Sequence, residues 1–231
     1  MREVLLKADH LTLQYADGSR PVIRDLSFTM EKGEILSLHG PSGAGKSTVV
    51  WALMGMMEAY GLKGSGAITF GDKTVDLEKS PKGLPSTWRE IALVPQSSMS
   101  ALNPVRTVEK TLEEMMKAHE PGKSKADCRA RMEELMDLVC LPRDCLGAYP
   151  HELSGGMKQR ISIALGVMYH PQLLILDEAT TGLDLLVEAD ILGTIFTLKK
   201  QFDMSILLIT HDRRLSDAFC RRRIEIGGSH E

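Results

Sequence analysis

Residues 40–48 read Gly40-Pro41-Ser42-Gly43-Ala44-Gly45-Lys46-Ser47-Thr48. Types and spacing fit a phosphate-binding loop, G-x-x-x-x-G-K-[ST]. The glycines let backbone N–H groups turn inward and approach phosphate oxygens with no Cβ in the way. A helix opening at the end of the loop adds its positive N-terminus. Lys46 supplies a compact cation for the outer phosphates and Ser47 a hydroxyl for Mg²⁺. A second candidate, Asp177-Glu178, closes the apolar run Leu173–Leu176. Buried strands of open α/β sheets carry ligand-facing residues at their carboxyl ends. Asp177 there suits Mg²⁺, through water, and Glu178 suits a general base acting on an attacking water.

A third stretch, Leu153-Ser154-Gly155-Gly156-Met157-Lys158-Gln159-Arg160, opens a helix that continues through Ile161, Ala164, Leu165 and Met168. A hydroxyl, bare amides and a helix N-terminus make another anion site. One nucleotide needs only one cradle. The second is therefore expected to close over a nucleotide held by another subunit.

These groups must be positioned by particular elements. Leu11, Leu13 and Tyr15 alternate, as do Leu26, Phe28 and Met30, with a turn at Asp17-Gly18 between them. They predict N-terminal strands. Glu31-Lys32-Gly33 is a further turn. Ile35–Leu38 reads as a buried strand feeding the loop, and an amphipathic run from Val49 to Met57 follows it. Ala67–Phe70 and Ile91–Val94 are further strand candidates. From Thr107 the period changes: Val108, Leu112, Met115 and Met116 predict one helix, ending near Pro121-Gly122. Met132, Leu135, Met136 and Val139 predict a second over 125–139, stopped by Pro142. Residues 97–150 thus read as a helical insertion. Leu173–Leu176 and Ile206–Ile209, separated by a helix from Asp184 to Phe202, predict parallel strands in a doubly wound sheet.

The 231-residue chain has 43% hydrophobic and 26% charged residues and a net charge of −3. That is a globular composition, and it argues against a coiled coil, a collagen, a disordered chain and a dedicated nucleic-acid binder. The four cysteines (Cys128, Cys140, Cys145, Cys220) include no CxxC pair, so neither a zinc module nor a disulfide framework is expected. The 13 methionines read as core filler. No apolar run is long enough to span a bilayer and no signal-peptide core is visible, so a soluble intracellular chain is expected, any membrane role coming through a partner.

Taken together, Leu153–Arg160 and the phosphate loop resemble the motifs of ABC ATPases, the nucleotide-binding subunits of ABC transporters. The resemblance runs from residue 4 to about residue 212. By it, Tyr15 matches the aromatic that stacks on adenine. Gln96 matches the Q-loop glutamine, which senses Mg²⁺ and γ-phosphate and faces the membrane subunits. Asp184 matches the D-loop aspartate and His211 the switch histidine at the γ-phosphate. Leu153, Ser154, Gly155, Gly156, Met157 and Gln159 match the signature that meets the partner subunit's ATP. Catalysis is assigned to Glu178, His211 and Gln96, Mg²⁺ to Ser47, Gln96 and Asp177.

The segment from Val94 to Val105 and Tyr149-Pro150-His151-Glu152-Leu153 look like the dipeptide, oligopeptide and nickel importer branch. Two positions depart from the family: Ala179 where proline is usual, and Gly182 where alanine is usual. The resemblance implies a P-loop NTPase core with a mixed, mainly parallel sheet, an N-terminal antiparallel β subdomain and an inserted helical subdomain (core 1–96 and 151–231, helices 97–150). It implies ATP and Mg²⁺, and a homo- or heterodimer with a second ATPase subunit. It also implies two membrane permeases, a substrate-binding protein reached indirectly, no nucleic acid, and a place on the cytoplasmic face of the inner membrane. The alternatives are an exporter ATPase or a non-transport ABC ATPase. The basic run Arg221–Arg223 reads as solvated surface.

Overall fold

The computed structural model describes residues 3–18, 20–80, 84, 88–96 and 102–227. In chain order these form β1 (Val4–Tyr15), β2 (Ile23–Glu31), β3 (Ile35–His39), α1 (Lys46–Leu53), β4 (Leu62–Phe70), β5 (Lys73–Asp76), β6 (Ile91–Val94), α2 (Val108–His119), α3 (Lys125–Leu138), α4 (Gly155–Val167), β7 (Leu173–Asp177), α5 (Leu185–Phe202), β8 (Ser205–Thr210), α6 (Arg213–Phe219) and β9 (Arg222–Glu225). The chain divides into two compact units. One comprises Met1–Ala92, Gln172–Asp177 and Asp203–Glu231, the other Leu93–Pro171 and Glu178–Phe202.

Two sheets build the first unit. The antiparallel sheet has the order β2-β1-β4-β5. Along β1 the buried set is Leu5, Leu6 and Ala8, then Leu11 and Leu13. Apart from Leu5, beside a further register shift between Val4 and Leu6, an even-numbered face gives way to an odd-numbered one. A strict two-residue period forbids this unless a residue is inserted. The register slips between Ala8 and Leu11 against β2 and between Asp9 and Thr12 against β4. His10 there has a left-handed backbone (φ 51°). The bulge resets the parity, so both halves of the strand bury their apolar side chains.

The second sheet has the order β6-β7-β8-β3-β9. Strands β7, β8 and β9 run parallel to their partners. Leu173–Leu176 and all of β8 are buried, as expected of strands covered on both faces.

Three elements go beyond the sequence expectation. Strand β5, helix α6 and strand β9 carry too few apolar residues to show a period. The basic run Arg221–Arg223, expected as plain surface, supplies edge strand β9, and Arg222 there donates to both Glu34 carboxylate oxygens and to the Thr29 carbonyl. Helix α1 is shorter than the run to Met57 suggested and is not amphipathic. Thr48, Val49, Val50, Ala52 and Leu53 are all buried, and Gly55 (φ 68°) turns the chain away.

In the second unit, Thr107 and Ser124 cap α2 and α3, each hydroxyl accepting from the backbone N–H three residues on. Val108, Leu112 and Met116 of α2 and Met132, Leu135 and Met136 of α3 are buried, as is Val139 just beyond. Met115 is only half-buried. Residues 97–101 of the segment likened to importers lie outside the described residues.

Candidate nucleotide site

Strand β3 delivers the chain to Gly40, and α1 begins at Lys46. The loop between is wound tightly, with Ala44 N–H donating to the Pro41 carbonyl at 3.2 Å. Gly45, at the helix N-cap, has φ 93° and ψ 15°. A Cβ there would lie 2.7 Å from both Ile23 Cδ1 and Val22 Cγ1. Only glycine meets both conditions. Lys46 is 6% exposed. Its Nζ donates to the carbonyls of Gly40 (2.8 Å) and Pro41 (3.0 Å), so the cation is folded back over the loop it serves. Pro41, Ser42 and Gly43 stay exposed, with Ala44 and Gly45 half-buried and Thr48 buried.

Ser47 Oγ donates to Asp177 Oδ2 at 3.3 Å, joining residues 130 positions apart. This pair of hard oxygen donors at a helix N-terminus fits Mg²⁺, which prefers a carboxylate, a hydroxyl and retained waters. Tyr15 ends β1 half-buried, paired with Leu62 of β4. His211 is exposed directly after β8. Behind it Asp212 N–H donates to Thr210 Oγ1 and Asp212 caps α6 through Arg214 N–H, which fixes the backbone that carries the imidazole.

In the second unit, Gln96 Nε2 donates to Glu178 Oε2 at 3.0 Å. Glu178 has φ 47°, a left-handed backbone for a residue with a Cβ. Such a position costs about 1–2 kcal/mol and persists only where the surroundings impose it. Thr181 N–H closes a turn onto the Glu178 carbonyl, and Ala179 and Thr180 are buried beneath it. Gly182 is also left-handed (φ 83°), a conformation that the family's usual alanine would resist.

Ser154 caps α4 by accepting from Met157 N–H at 3.2 Å. Ser154 and Gly155 are exposed, with Gly156 and Met157 half-buried. A Cβ on Gly156 would meet Val187 Cγ1 at 2.9 Å, so the signature helix starts directly against α5. Leu153 and Gln159, grouped with these on sequence, are 6% and 3% exposed. They lie inside the second unit. Asp184 caps α5, accepting from Leu186 and Val187 N–H, and presents Leu185 and Leu186 to solvent, 64% and 83% exposed.

Two groups escaped the sequence reading. Arg160, 8% exposed, donates to the Val139 carbonyl (2.7 Å) and Thr194 Oγ1 (3.1 Å) and pairs with Asp190. Asp190 and Thr194, four apart on a helix, were the available signal. His39, 8% exposed beside Gly40, has a buried Nδ1 with no partner among the described residues. Burial and the cations of Arg223 and Arg213 hold its pKa below the usual imidazole value.

A glycine-turned loop on a helix N-terminus, with a lysine folded over it and a serine–aspartate pair beside it, defines a P-loop nucleotide-binding protein. Residues 23–181 match the ABC transporter family. The chain belongs to that family. It is 38% identical over 223 residues to the oligopeptide transport ATP-binding protein OppD of Salmonella typhimurium, covering 94% of this chain and 65% of that one. It is 35% identical over 217 residues to the dipeptide transport ATP-binding protein DppD of Escherichia coli (91% and 65%). It is 37% identical over 212 residues to the metal-staphylopine import system ATP-binding protein CntD of Staphylococcus aureus (90% and 77%). The chain therefore spans less than two thirds of the length of the first of these relatives. Among solved structures, cbiO1 of Clostridium perfringens, part of the ABC transporter complex cbiONQ, matches with a TM-score of 0.79 at 24% identity, over 97% of this chain and 85% of that one. The dimeric post-hydrolysis cassette MJ0796, bound to ADP and Pi, matches at 0.78 and 22%, over 96% and 94%. These two likenesses establish the fold.

Proposed function

We propose that the protein is the ATP-binding and ATP-hydrolysing subunit of an ABC importer for peptides, nickel or metal chelates. It would work as a dimer with a second ATPase subunit, identical or not, against two membrane permeases. Its place would be the cytoplasmic face of the membrane, with an extracytoplasmic binding protein delivering cargo. The names of its relatives support the import reading. The observation that carries the dimer reading is the exposed start of α4: Ser154 and Gly155 open a helix N-terminus to solvent, flanked by the exposed Leu185 and Leu186. An uncovered anion site beside uncovered apolar side chains suits a surface that closes on another subunit's nucleotide.

In this reading Gly40–Thr48 of one subunit wraps the triphosphate and Ser154–Gly156 of the other meets the γ-phosphate. Tyr15 stacks on the base. Ser47, Asp177 and Gln96 would hold Mg²⁺, which when bound neutralises charge on the β- and γ-phosphates. Glu178 accepts the proton of the attacking water, and His211 donates to the γ-phosphate. Gln96 Nε2 donates to Glu178 Oε2, which orients the carboxylate that accepts the proton. The rest of the chain's catalytic contribution is placement and charge stabilisation.

Light scattering on Glu178→Gln with ATP tests the scheme. The expected species is a stable ATP-bound dimer, with hydrolysis lowered by about 10²–10⁴-fold, the usual worth of a general base. A strictly monomeric preparation hydrolysing ATP at the full rate would refute it.

A further inference from the structure

The phosphate loop has a back as well as a front. Strand β9 runs beside β3, pairing His39 with Glu225, and Ile226 N–H donates to the His39 carbonyl at 2.9 Å. The chain then passes behind the loop. A Cβ on Gly40 would lie 2.5 Å from the Ile226 carbonyl oxygen and 3.1 Å from Ile226 Cγ1. Gly227 has φ 78°, and a Cβ on it would lie 2.7 Å from Ala44 Cβ and 3.6 Å from Pro41 Cδ. Ile226 is 6% exposed. Backbone therefore packs on backbone here, with glycine on both sides of the contact.

We infer that Ile226 and Gly227 are positioning residues for ATP, forming a rear wall that holds Gly40–Gly45 in the shape that receives the phosphates. Lys46 restrains the loop through the Gly40 and Pro41 carbonyls. The wall restrains it through Gly40, Pro41 and Ala44. A loop pressed from both sides stays in its binding shape before ligand arrives. Remove one restraint and only a fraction of molecules holds that shape, which weakens apparent affinity by the same fraction. An alanine at 227 pushes Ala44 away and so displaces the loop.

The inference rests on the cradle reading of Gly40–Thr48. Its test is ATP titration and thermal unfolding of the full chain carrying Gly227→Ala, Ala44→Gly, both together, Ile226→Ala, or Lys46→Ala. Gly227→Ala is expected to raise the Kd for ATP about tenfold as its methyl pushes Ala44 out of place. Adding Ala44→Gly removes the colliding methyl and is expected to restore most of the affinity while leaving the left-handed strain at 227, and with it the lowered unfolding midpoint, in place. An unchanged Kd in a folded Gly227→Ala protein overturns the inference, as does a raised Kd that Ala44→Gly fails to rescue. If Gly227→Ala does not fold, Ile226→Ala decides: a raised Kd supports the wall and an unchanged one overturns it. Binding lost in Lys46→Ala while Gly227→Ala binds like the parent overturns the wall and leaves the cradle standing. Binding retained in Lys46→Ala overturns both.

Discussion

Replacing Arg160 by methionine keeps the aliphatic stem and deletes the guanidinium that ties α4 to its neighbours. The magnitude follows from what is left behind. The Val139 carbonyl loses a 2.7 Å charge-assisted donor, and Thr194 Oγ1 loses a donor at 3.1 Å while still donating to the Asp190 carbonyl. Hydrogen bonds to charged groups contribute about 1.5–3 kcal/mol each when buried. The Asp190 side chain is 72% exposed and regains water, so its share is small. Together the loss comes to about 3–6 kcal/mol. For a chain of this size that lowers the melting temperature by roughly 6–24 °C. Urea titration and calorimetry of Arg160→Met and Asp190→Asn check the reasoning. The arginine variant should fall by the full amount and the aspartate variant by less than about 1 kcal/mol. Equal losses in the two would show that the ion pair, not the two inner hydrogen bonds, holds the signature helix.

Glu178→Asn should abolish hydrolysis yet raise stability relative to Glu178→Gln by about 0.5–1 kcal/mol, because asparagine tolerates the left-handed backbone better; matched urea midpoints would show no strain at that residue. His39 makes stability pH-dependent. Its folded pKa lies below the ordinary 6.5. The unfolded chain therefore binds the proton first, and stability is lost as pH falls from 6.5 towards the lowered folded value, with no loss above 6.5. His39→Asn should flatten the urea midpoint between pH 7.5 and 5; an unchanged slope would refute this. Burial pushes the Cys220 thiol up to about 11, so iodoacetamide at pH 8 should modify exposed Cys140 well before it. Mass spectrometry of tryptic peptides reads the order, and early labelling of Cys220 would contradict it.

The strands that feed the site were legible because burial on both faces writes them as unbroken apolar runs: Ile35–Leu38, Leu173–Leu176 and Ile206–Ile209. Helices α2 and α3 were legible through their period, with one face buried and threonine and serine caps in place. What failed to show had a physical reason in each case. The bulge at His10 splits β1 into two parities, so only the part from Leu11 onward read as a strand. Strand β9 is an edge strand carrying two arginines, and edge strands need no apolar alternation. Helix α1 is buried nearly all round, so periodicity could not mark its end. In the site, local motifs such as Gly40–Thr48 named themselves. Ser47 and Asp177 were joined in advance only by their shared suitability for Mg²⁺, and Arg160 had only the Asp190–Thr194 spacing as its signal, whereas the contact of Gly227 with Ala44 is a product of topology and leaves no local trace.

The order β8-β3-β9 places the strand that carries the phosphate loop between two strands that come much later in the sequence. Gly33 is bonded to Ser205, 172 positions later, and Glu34 to Arg222, 188 positions later. On the ribosome, β3 emerges well before its two neighbours and stays unpaired on both edges until β8 and β9 have been made. Nascent chains stalled before β8 should not retain nucleotide, and the long-range closure is expected to make assembly of this sheet the slow step of folding.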